Sequence, residues 1–98
     1  MTYAALIDYT TDTAKIAGAR PLHREYLKKL LEAGHIVISG PFADDRGGLL
    51  VYEASSPQEV EDMIRNDPFA QAGVFVSWTI REWRVVMANP KLISSLNA

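Results

Sequence analysis

The segment RNDPFAQAGVF, from Arg65 to Phe75, joins the second predicted helix to the last predicted strand. Asp67 before Pro68 is a strong signal for a helix N-terminus, because the Asp side chain caps free backbone N–H groups and Pro suits the first helical position. Gly73 ends that turn just before a long apolar run. The segment therefore predicts one extra turn of helix, and it brings a carboxylate to the start of a strand.

Hydrophobic periodicity on either side of this segment predicts the remaining elements. The predicted strands are Tyr3–Tyr9, His35–Gly40, Leu49–Ala54 and Val74–Val86, and the predicted helices are Pro21–Ala33 and a segment that begins after the N-cap Ser56. The small, polar stretch Thr10–Ala19 is predicted to be a loop, with Pro21 in the first turn of the helix that follows. The resulting order, βαββαβ, is a ferredoxin-like α+β fold, in which two helices cover one face of a four-stranded antiparallel sheet.

Both faces of this predicted sheet are apolar. In the first strand Tyr3, Ala5 and Ile7 point to one side, and Ala4 and Leu6 point to the other. The last strand is divided into Val74, Val76, Trp78 and Ile80 on one side and Phe75, Trp83 and Val85 on the other. An antiparallel sheet with one solvated face alternates apolar with polar residues. The second face therefore needs a cover, and we predict a homodimer that forms through it.

Length and charge limit the domain organisation and the partners. The 98 residues make one domain, with a predicted core at residues 2–86 and a C-terminal tail at residues 87–98. Leu92, Ile93 and Leu96 of the tail are predicted to pack on the same subunit or on its partner. The basic residues are scattered and the net charge is −2, so a nucleic acid partner is not expected.

Membrane association and bound cofactors are also not expected. No apolar run reaches the ~20 residues of a membrane helix, and the N-terminus lacks the pattern of a signal peptide, so we expect a cytoplasmic protein. The chain has no Cys and only two His, which leaves too few ligands for a zinc site. Asp44 and Asp45 could meet a cation, but they fit a solvated hairpin tip better. No Gly-rich phosphate-binding motif is present.

The first predicted helix carries a histidine on its apolar side. One apolar stripe is predicted from residues at steps of three and four, namely Leu22, His23, Tyr26, Leu27, Leu30 and Leu31. His23, Tyr26, Leu27 and Leu30 follow the i, i+3, i+4, i+7 spacing and are predicted to face the sheet. A lone histidine in such a place is commonly a hydrogen-bonded core residue. The alternative is a titratable ring at the floor of a cavity between helix and sheet.

Three short motifs resemble the YCII-like family in type and order. They are RPLHREYL (Arg20–Leu27), SGP (Ser39–Pro41) and NDPFAQAGV (Asn66–Val74), and the resemblance runs from about Thr2 to Val86. It implies the fold of dimeric α+β barrels, in which two sheets pack face to face. It also implies a functional pair, a His in helix one and an Asp in the Asp-Pro turn, which are His23 and Asp67 by position. Some members of the family act on small aromatic or cyclic substrates, including a dehydrochlorinase of chlorinated hydroxyhydroquinones.

The two members of this pair are chemically compatible with a joint role. As a cap, Asp67 uses one carboxylate oxygen on a backbone N–H and keeps the other free. If Asp67 lies beside His23, it can fix the tautomer of the imidazole and stabilise the imidazolium that forms when the ring takes up a proton. We therefore predict that His23 and Asp67 form a hydrogen-bonded pair that faces a pocket.

Further residues are predicted to surround the pair and contact a substrate. They are Arg20, Tyr26, Ser39, Gly40, Pro41 and Phe69. Arg20 lies one turn before His23 and could hold a carboxylate or a phenolate, although a surface salt bridge is an equally good interpretation. Gly40 and Pro41 form either a plain turn or a wall of the pocket. Trp78 and Trp83 are assigned to packing in the core or the dimer.

Two classes of function follow. The first is a small-molecule enzyme that uses His23 and Asp67 for acid–base proton transfer in an elimination, a dehydrohalogenation or an isomerisation of a cyclic or aromatic substrate, without a cofactor. The second is a non-catalytic dimeric module that binds a small molecule or supports a partner protein. The enzyme needs the pair within hydrogen-bond reach and open to a pocket, whereas the module would separate the pair or seal it in the core.

Overall fold

The computed structural model describes residues 1–96. Its elements are β1 (Thr2–Tyr9), α1 (Thr13–Glu32), β2 (Ile36–Pro41), β3 (Gly47–Glu53), α2 (Pro57–Arg65), α3 (Pro68–Gln71), β4 (Phe75–Glu82) and α4 (Pro90–Ser95). The strands pair antiparallel in the order β2-β3-β1-β4. The predicted ferredoxin-like α+β fold is confirmed. No helix within residues 1–96 is both long and apolar enough to cross a membrane.

Helix α1 is longer than the sequence predicted. It begins at Thr13, so the prediction of a loop over Thr10–Ala19 is wrong, and Pro21 lies inside the helix instead of in its first turn. The cause is Asp12, whose carboxylate accepts a hydrogen bond from the backbone N–H of Lys15 at 3.0 Å and caps the new start. The alanines that follow are strong helix formers, which explains why a small, polar stretch becomes helical.

The buried side of α1 is narrower than the predicted stripe. Ile16 and His23 are buried, and Leu27 and Leu30 pack against the core at the same spacing. Leu22 and Leu31 are exposed by 62% and 52%, so their assignment to the apolar stripe is wrong. A helix turns 100° per residue, and these two side chains fall outside the sector that faces the sheet.

A β-bulge in β4 changes which of its residues face the helices. Asp8 of β1 pairs with Ser77, but the next residue, Tyr9, pairs with Phe75, so Val76 is left without a partner in β1. Phe75 therefore joins Trp78 on the helix-covered face, while Val76 is exposed. The predicted grouping of Val76 with Trp78 is wrong because a bulge breaks the two-residue period of a strand.

The outer face of the sheet is apolar over only part of its area. Apolar side chains lie on the three strands β2, β3 and β1, namely Ile38, Leu49, Val51, Ala4 and Leu6. On β4 the corresponding positions are polar, and they are Ser77, Thr79 and Arg81. Strand β4 ends at Glu82 instead of Val86. The outer face is thus amphipathic across the sheet, which the reading of single strands did not reveal.

The C-terminal tail makes a short helix that does not bury its apolar residues. Helix α4 is capped by Asn89 and spans Pro90–Ser95. Leu92, Ile93 and Leu96 are exposed by 62%, 44% and 70%. The prediction that they pack on their own subunit is therefore wrong, and the prediction that they contact a partner remains.

Candidate functional site

The histidine and the aspartate come together in the core, from two elements far apart in the sequence. His23 lies on α1 and Asp67 is the N-cap of α3. The Nδ1 atom of His23 lies 2.7 Å from Oδ1 of Asp67, and the exposed fractions of the two side chains are 8% and 0%. A charged or charge-assisted hydrogen bond of this length in a buried place is strong.

The same oxygen of Asp67 also caps the short helix. Oδ1 accepts the backbone N–H of Phe69 at 2.9 Å in addition to the contact with His23. The sequence predicted that the cap leaves the second oxygen free, and Oδ2 indeed makes no hydrogen bond within residues 1–96. Because one atom holds both the helix start and the imidazole, a movement of α3 moves the ring partner of His23 as well.

The arrangement leaves one ring nitrogen of His23 for chemistry. Since the carboxylate of Asp67 is an acceptor, Nδ1 carries a proton and donates it, and Nε2 is the acceptor of the neutral ring. Nε2 makes no hydrogen bond to residues 1–96. In those residues, the side-chain atoms that are enclosed and have no hydrogen-bond partner are Tyr52 Oη and Asp67 Oδ2. Nε2 is not one of these enclosed atoms. Nε2 is therefore the atom at which His23 can exchange a proton with something outside the core.

Aromatic rings hold the imidazole from two sides. The ring of Phe69 stacks on that of His23 with centroids 3.8 Å apart and an angle of 6° between the planes. Phe75 meets the same imidazole edge to face at 5.8 Å. Such pairs restrict the rotation of the ring and add to its packing. Tyr9 in turn contacts both phenylalanines, at 5.7 Å and 5.9 Å.

Two complementary polar atoms are enclosed near the pair without partners. Asp67 Oδ2 is an acceptor and the hydroxyl of Tyr52 is a donor, and neither makes a hydrogen bond within residues 1–96. Burial raises the pKa of the Tyr52 phenol, and the negative charge of Asp67 raises it further. The phenol of Tyr52 thus stays protonated, and its proton is directed at no acceptor of the described residues.

The main cavity lies at the N-terminal part of α1. It has a volume of about 610 Å³ and is bounded by the end of β1, the start of α1 and the β2–β3 hairpin. Its lining residues are Asp8, Tyr9, Thr10, Thr11, Thr13, Ile16, Ala17, Arg20, Asp44, Asp45 and Arg46. Neither His23 nor Asp67 lines it, so the predicted pocket is displaced toward the N-terminus of α1.

The predicted substrate-binding residues separate into different roles. Arg20 lines the cavity. The hydroxyl of Tyr26 donates to the carbonyl oxygen of Met63 at 2.8 Å, and Phe69 is buried against His23. Ser39, Gly40 and Pro41 run along β2 opposite Leu50, Leu49 and Gly48, and they are outside the cavity lining.

Sequence reasoning missed Tyr9 and Phe75 as neighbours of the pair. Tyr9 ends β1, and its inward direction follows from the alternation with Ile7. Its contact with Phe75 depends on the bulge at Val76, for which the sequence carries no simple signal. Within residues 1–96, no three His, Cys, Asp or Glu side chains converge as metal ligands would.

Comparison with known proteins places the chain among proteins of matching length. The model of the YCII-related domain matches residues 1–84. A protein of Emericella nidulans, derivative of benzaldehyde biosynthesis cluster protein C, is 35% identical over 88 residues, which cover 71% of this chain and 90% of that protein. The uncharacterized protein YjpA of Bacillus subtilis is 35% identical over 63 residues, covering 64% of this chain and 73% of its own length.

Two solved structures share the fold. The dehydrochlorinase TftG of Burkholderia phenoliruptrix acts on 5-chloro-2-hydroxyhydroquinone and was solved with 2,5-dihydroxybenzoquinone. It superimposes with a TM-score of 0.75 at 26% identity, over 86% of this chain and 94% of its own. Hypothetical protein PHS023 of Pyrococcus horikoshii has a TM-score of 0.50 at 14% identity, covers 86% of this chain and 93% of its own, and supports the fold alone. The resemblance inferred from the three motifs is confirmed, and the chain belongs to the YCII family.

Proposed function

We propose that this protein is a small-molecule enzyme in which His23 transfers a proton to or from a hydroxylated cyclic or aromatic substrate, while Asp67 orients the imidazole. The observation that carries the proposal is the 2.7 Å contact between His23 Nδ1 and Asp67 Oδ1, which leaves Nε2 as the reacting atom. A carboxylate on the far side of an imidazole fixes the tautomer and stabilises the imidazolium that forms in the reaction.

The reaction class that fits is an elimination or a tautomerisation. Nε2 accepts an acidic proton of the substrate, the freed electron pair forms a double bond of the ring system, and in an elimination the leaving group departs with its bonding electrons. The imidazolium then returns the proton to product or water, so no oxidant or reductant is needed. The structural likeness to TftG, a dehydrochlorinase, and the similarity to a protein of a benzaldehyde biosynthesis cluster support this class.

A non-catalytic binding module is the second candidate. The observation in its favour is enclosure, because Asp67 is fully buried and neither member of the pair lines the main cavity. In that case the hydrogen bond would serve the core alone, and the cavity would bind a small molecule without converting it. In both cases we expect a homodimer through the outer face of the sheet.

Ring-proton exchange separates the two candidates. The probe is 2,5-dihydroxybenzoquinone in D₂O, with loss of the ring C–H signals followed by NMR. Chloride release from 5-chloro-2-hydroxyhydroquinone is measured in parallel. We expect catalysed exchange, and we expect His23→Gln to reduce it by ~10²–10⁴-fold, the usual contribution of a positioned acid–base group.

The second histidine provides the matched control. His35 is half-buried, and its Nδ1 lies 3.4 Å from the carbonyl oxygen of Glu53, not from a carboxylate. His35→Gln should leave exchange within about twofold of the wild type. If the probe binds but neither exchange nor chloride release exceeds the rate without protein, the enzyme proposal is wrong and the binding module is retained.

A further inference from the structure

Tyr9 stands between the main cavity and the buried pair. Its side chain lines the cavity, and its ring packs on Phe69 and Phe75, the two rings that hold His23. The bulge at Val76 creates this arrangement, because it places Phe75 instead of Val76 opposite Tyr9. A bulge that redirects a side chain is a recurring feature next to active sites. A substrate that fills the cavity therefore touches Tyr9 before it approaches His23.

The hydroxyl of Tyr9 lies where a side chain at Gly48 would otherwise be. A Cβ atom at Gly48 would lie 2.8 Å from Tyr9 Oη and 3.0 Å from the carbonyl oxygen of Gly40. Oη makes no hydrogen bond to residues 1–96, and it is not one of the enclosed atoms without partners there. The hydroxyl thus lies close to Gly48, and its donor is unused by the described residues.

The surroundings keep this hydroxyl protonated. Burial raises the pKa of the Tyr9 phenol, and the negative charge of Asp67 raises it further, against the opposing effect of Arg20. Tyr9 is therefore a hydrogen-bond donor at neutral pH. Arg20 and Arg46 also line the cavity, and neither guanidinium forms an ion pair within residues 1–96. The cavity lining thus combines the phenol of Tyr9 with two guanidinium groups and with the carboxyl groups of Asp8, Asp44 and Asp45.

We infer that the cavity is a subsite for an acidic ring oxygen, an enolate or a phenolate, and that Tyr9 donates a hydrogen bond to that oxygen while Arg20 supplies the opposite charge. The inference rests on the proposed function, because the oxygen held in the subsite is the one that gains negative charge when His23 removes a ring proton. Removal of a proton from a ring carbon puts negative charge on the neighbouring oxygen. A fixed donor at that oxygen stabilises the charge as it develops.

Tyr9→Phe tests the inference, because it keeps the ring and removes only the hydroxyl. Binding of 2,5-dihydroxybenzoquinone is measured by titration of its visible absorbance, and ring-proton exchange is measured on the same samples. We expect Kd to rise about tenfold or more, as for the loss of a hydrogen bond to a charged group. Binding of 1,4-benzoquinone, which has no acidic oxygen, should be the same in both proteins.

Gly48→Ala provides a second route to the same atom. The new methyl group must displace Tyr9 Oη, so we expect weaker binding of the dihydroxyquinone in the same direction as for Tyr9→Phe. Gly18→Ala is the matched control, since a Cβ atom at Gly18 has no neighbour within 4 Å. Circular dichroism and thermal unfolding confirm that each variant is folded before its affinity is compared.

The outcomes separate the inference from the proposed function. An unchanged Kd in Tyr9→Phe, or no binding of the dihydroxyquinone to the wild type, overturns the inference. If Tyr9→Phe binds as the wild type does and His23→Gln still abolishes exchange, the proposed function stands without the subsite. If binding depends on Tyr9 but no exchange depends on His23, the subsite stands and the proposed function fails.

Discussion

The two faces of the sheet differ in how their apolar side chains are covered. The inner face is covered by the helices and encloses a buried hydrogen-bonded pair, His23 with Asp67, among aromatic rings. The outer face is only partly covered by residues 1–96, because Val51 is buried whereas Leu6 and Ile38 are exposed by 47% and 38%. A pattern that is apolar on both sides of a strand therefore predicts burial, but it does not tell whether the cover comes from the same chain.

The inner face also shows how a polar group is tolerated in a core. Oδ1 of Asp67 is satisfied by two hydrogen bonds, one from the backbone N–H of Phe69 and one from His23. The second oxygen is enclosed without a partner. A core that holds such an atom is stabilised less than an apolar one would be, as expected where chemistry competes with stability.

The largest effect is expected from Asp67→Ala. This change removes the acceptor of a buried imidazole together with the cap of α3, so we expect the free energy of unfolding to fall by ~3–5 kcal/mol. Asp12→Ala is the matched control, because Asp12 caps α1 at an exposed position and should cost only ~1 kcal/mol. Urea unfolding measures both. Equal losses would mean that Asp67 acts as a cap and nothing more.

Asp67→Asn refines the same comparison. Asn is a good N-cap, so the start of α3 should persist and the loss of stability should be smaller than for Asp67→Ala. The neutral amide cannot stabilise an imidazolium, so ring-proton exchange should fall nevertheless. A variant that retains full exchange would remove Asp67 from the proposed mechanism while leaving His23 in place.

On the outer face, Leu6→Asp should break the predicted dimer. Leu6 lies in the apolar half, and its register partner on β4 is Thr79, in the polar half. A charge at Leu6 should raise the dimer dissociation constant by at least ~30-fold, corresponding to a loss of ~2 kcal/mol or more. Thr79→Asp is the matched control and should change it less. Sedimentation equilibrium measures the dissociation constants. A wild type that is monomeric and folded at micromolar concentration would refute the dimer.

Much of the fold could be predicted from the sequence, because the signals involved are local. The caps at Ser56 and Asp67 and the β-rich runs identify α2, α3 and the strands within a few residues. The approach of His23 to Asp67 was inferred from the resemblance and from the inward face of α1. The predicted start of α1 lies too far along the chain, because Asp12, an ordinary N-cap, was assigned to a polar loop.

The parts that could not be predicted depend on register. The bulge at Val76 brings Phe75 to Tyr9, and the strand order puts a polar β4 beside an apolar β1 on the outer face. The position of the cavity follows from how the hairpin carrying Asp45 stands against α1. None of these relations is encoded in the period of a single segment, which is why the position of the cavity was not predicted.

A moderate effect is expected from Tyr52→Phe at alkaline pH. The pKa of Tyr52 is raised by burial, so the folded protein keeps a proton that an unfolded tyrosine loses above about pH 10. Stability should therefore fall as pH rises beyond that value, and Tyr52 should contribute ~1.4 kcal/mol per pH unit to the slope. Tyr52→Phe should flatten the slope by that amount in urea unfolding between pH 10 and 11.

Tyr26→Phe is the contrasting variant at neutral pH. Tyr26 donates a hydrogen bond to Met63, so its loss should cost ~1 kcal/mol, whereas the hydroxyl of Tyr52 has no partner in residues 1–96 and its loss should cost nothing or stabilise the protein. A clear destabilisation by Tyr52→Phe at pH 7 would indicate that a buried water joins Tyr52 to Asp67 Oδ2.

The smallest effect is expected from removal of the chain after Asn89. Leu92, Ile93 and Leu96 are exposed, so the deleted segment contributes little to the fold of one subunit, and its loss should change the free energy of unfolding of the monomer by less than ~0.5 kcal/mol. Three exposed apolar residues on one short segment do suit a contact with a partner. We therefore expect the dimer dissociation constant to rise by a factor of about five, less than for Leu6→Asp. A truncated protein that dimerises like the wild type would assign the whole interface to the outer face of the sheet.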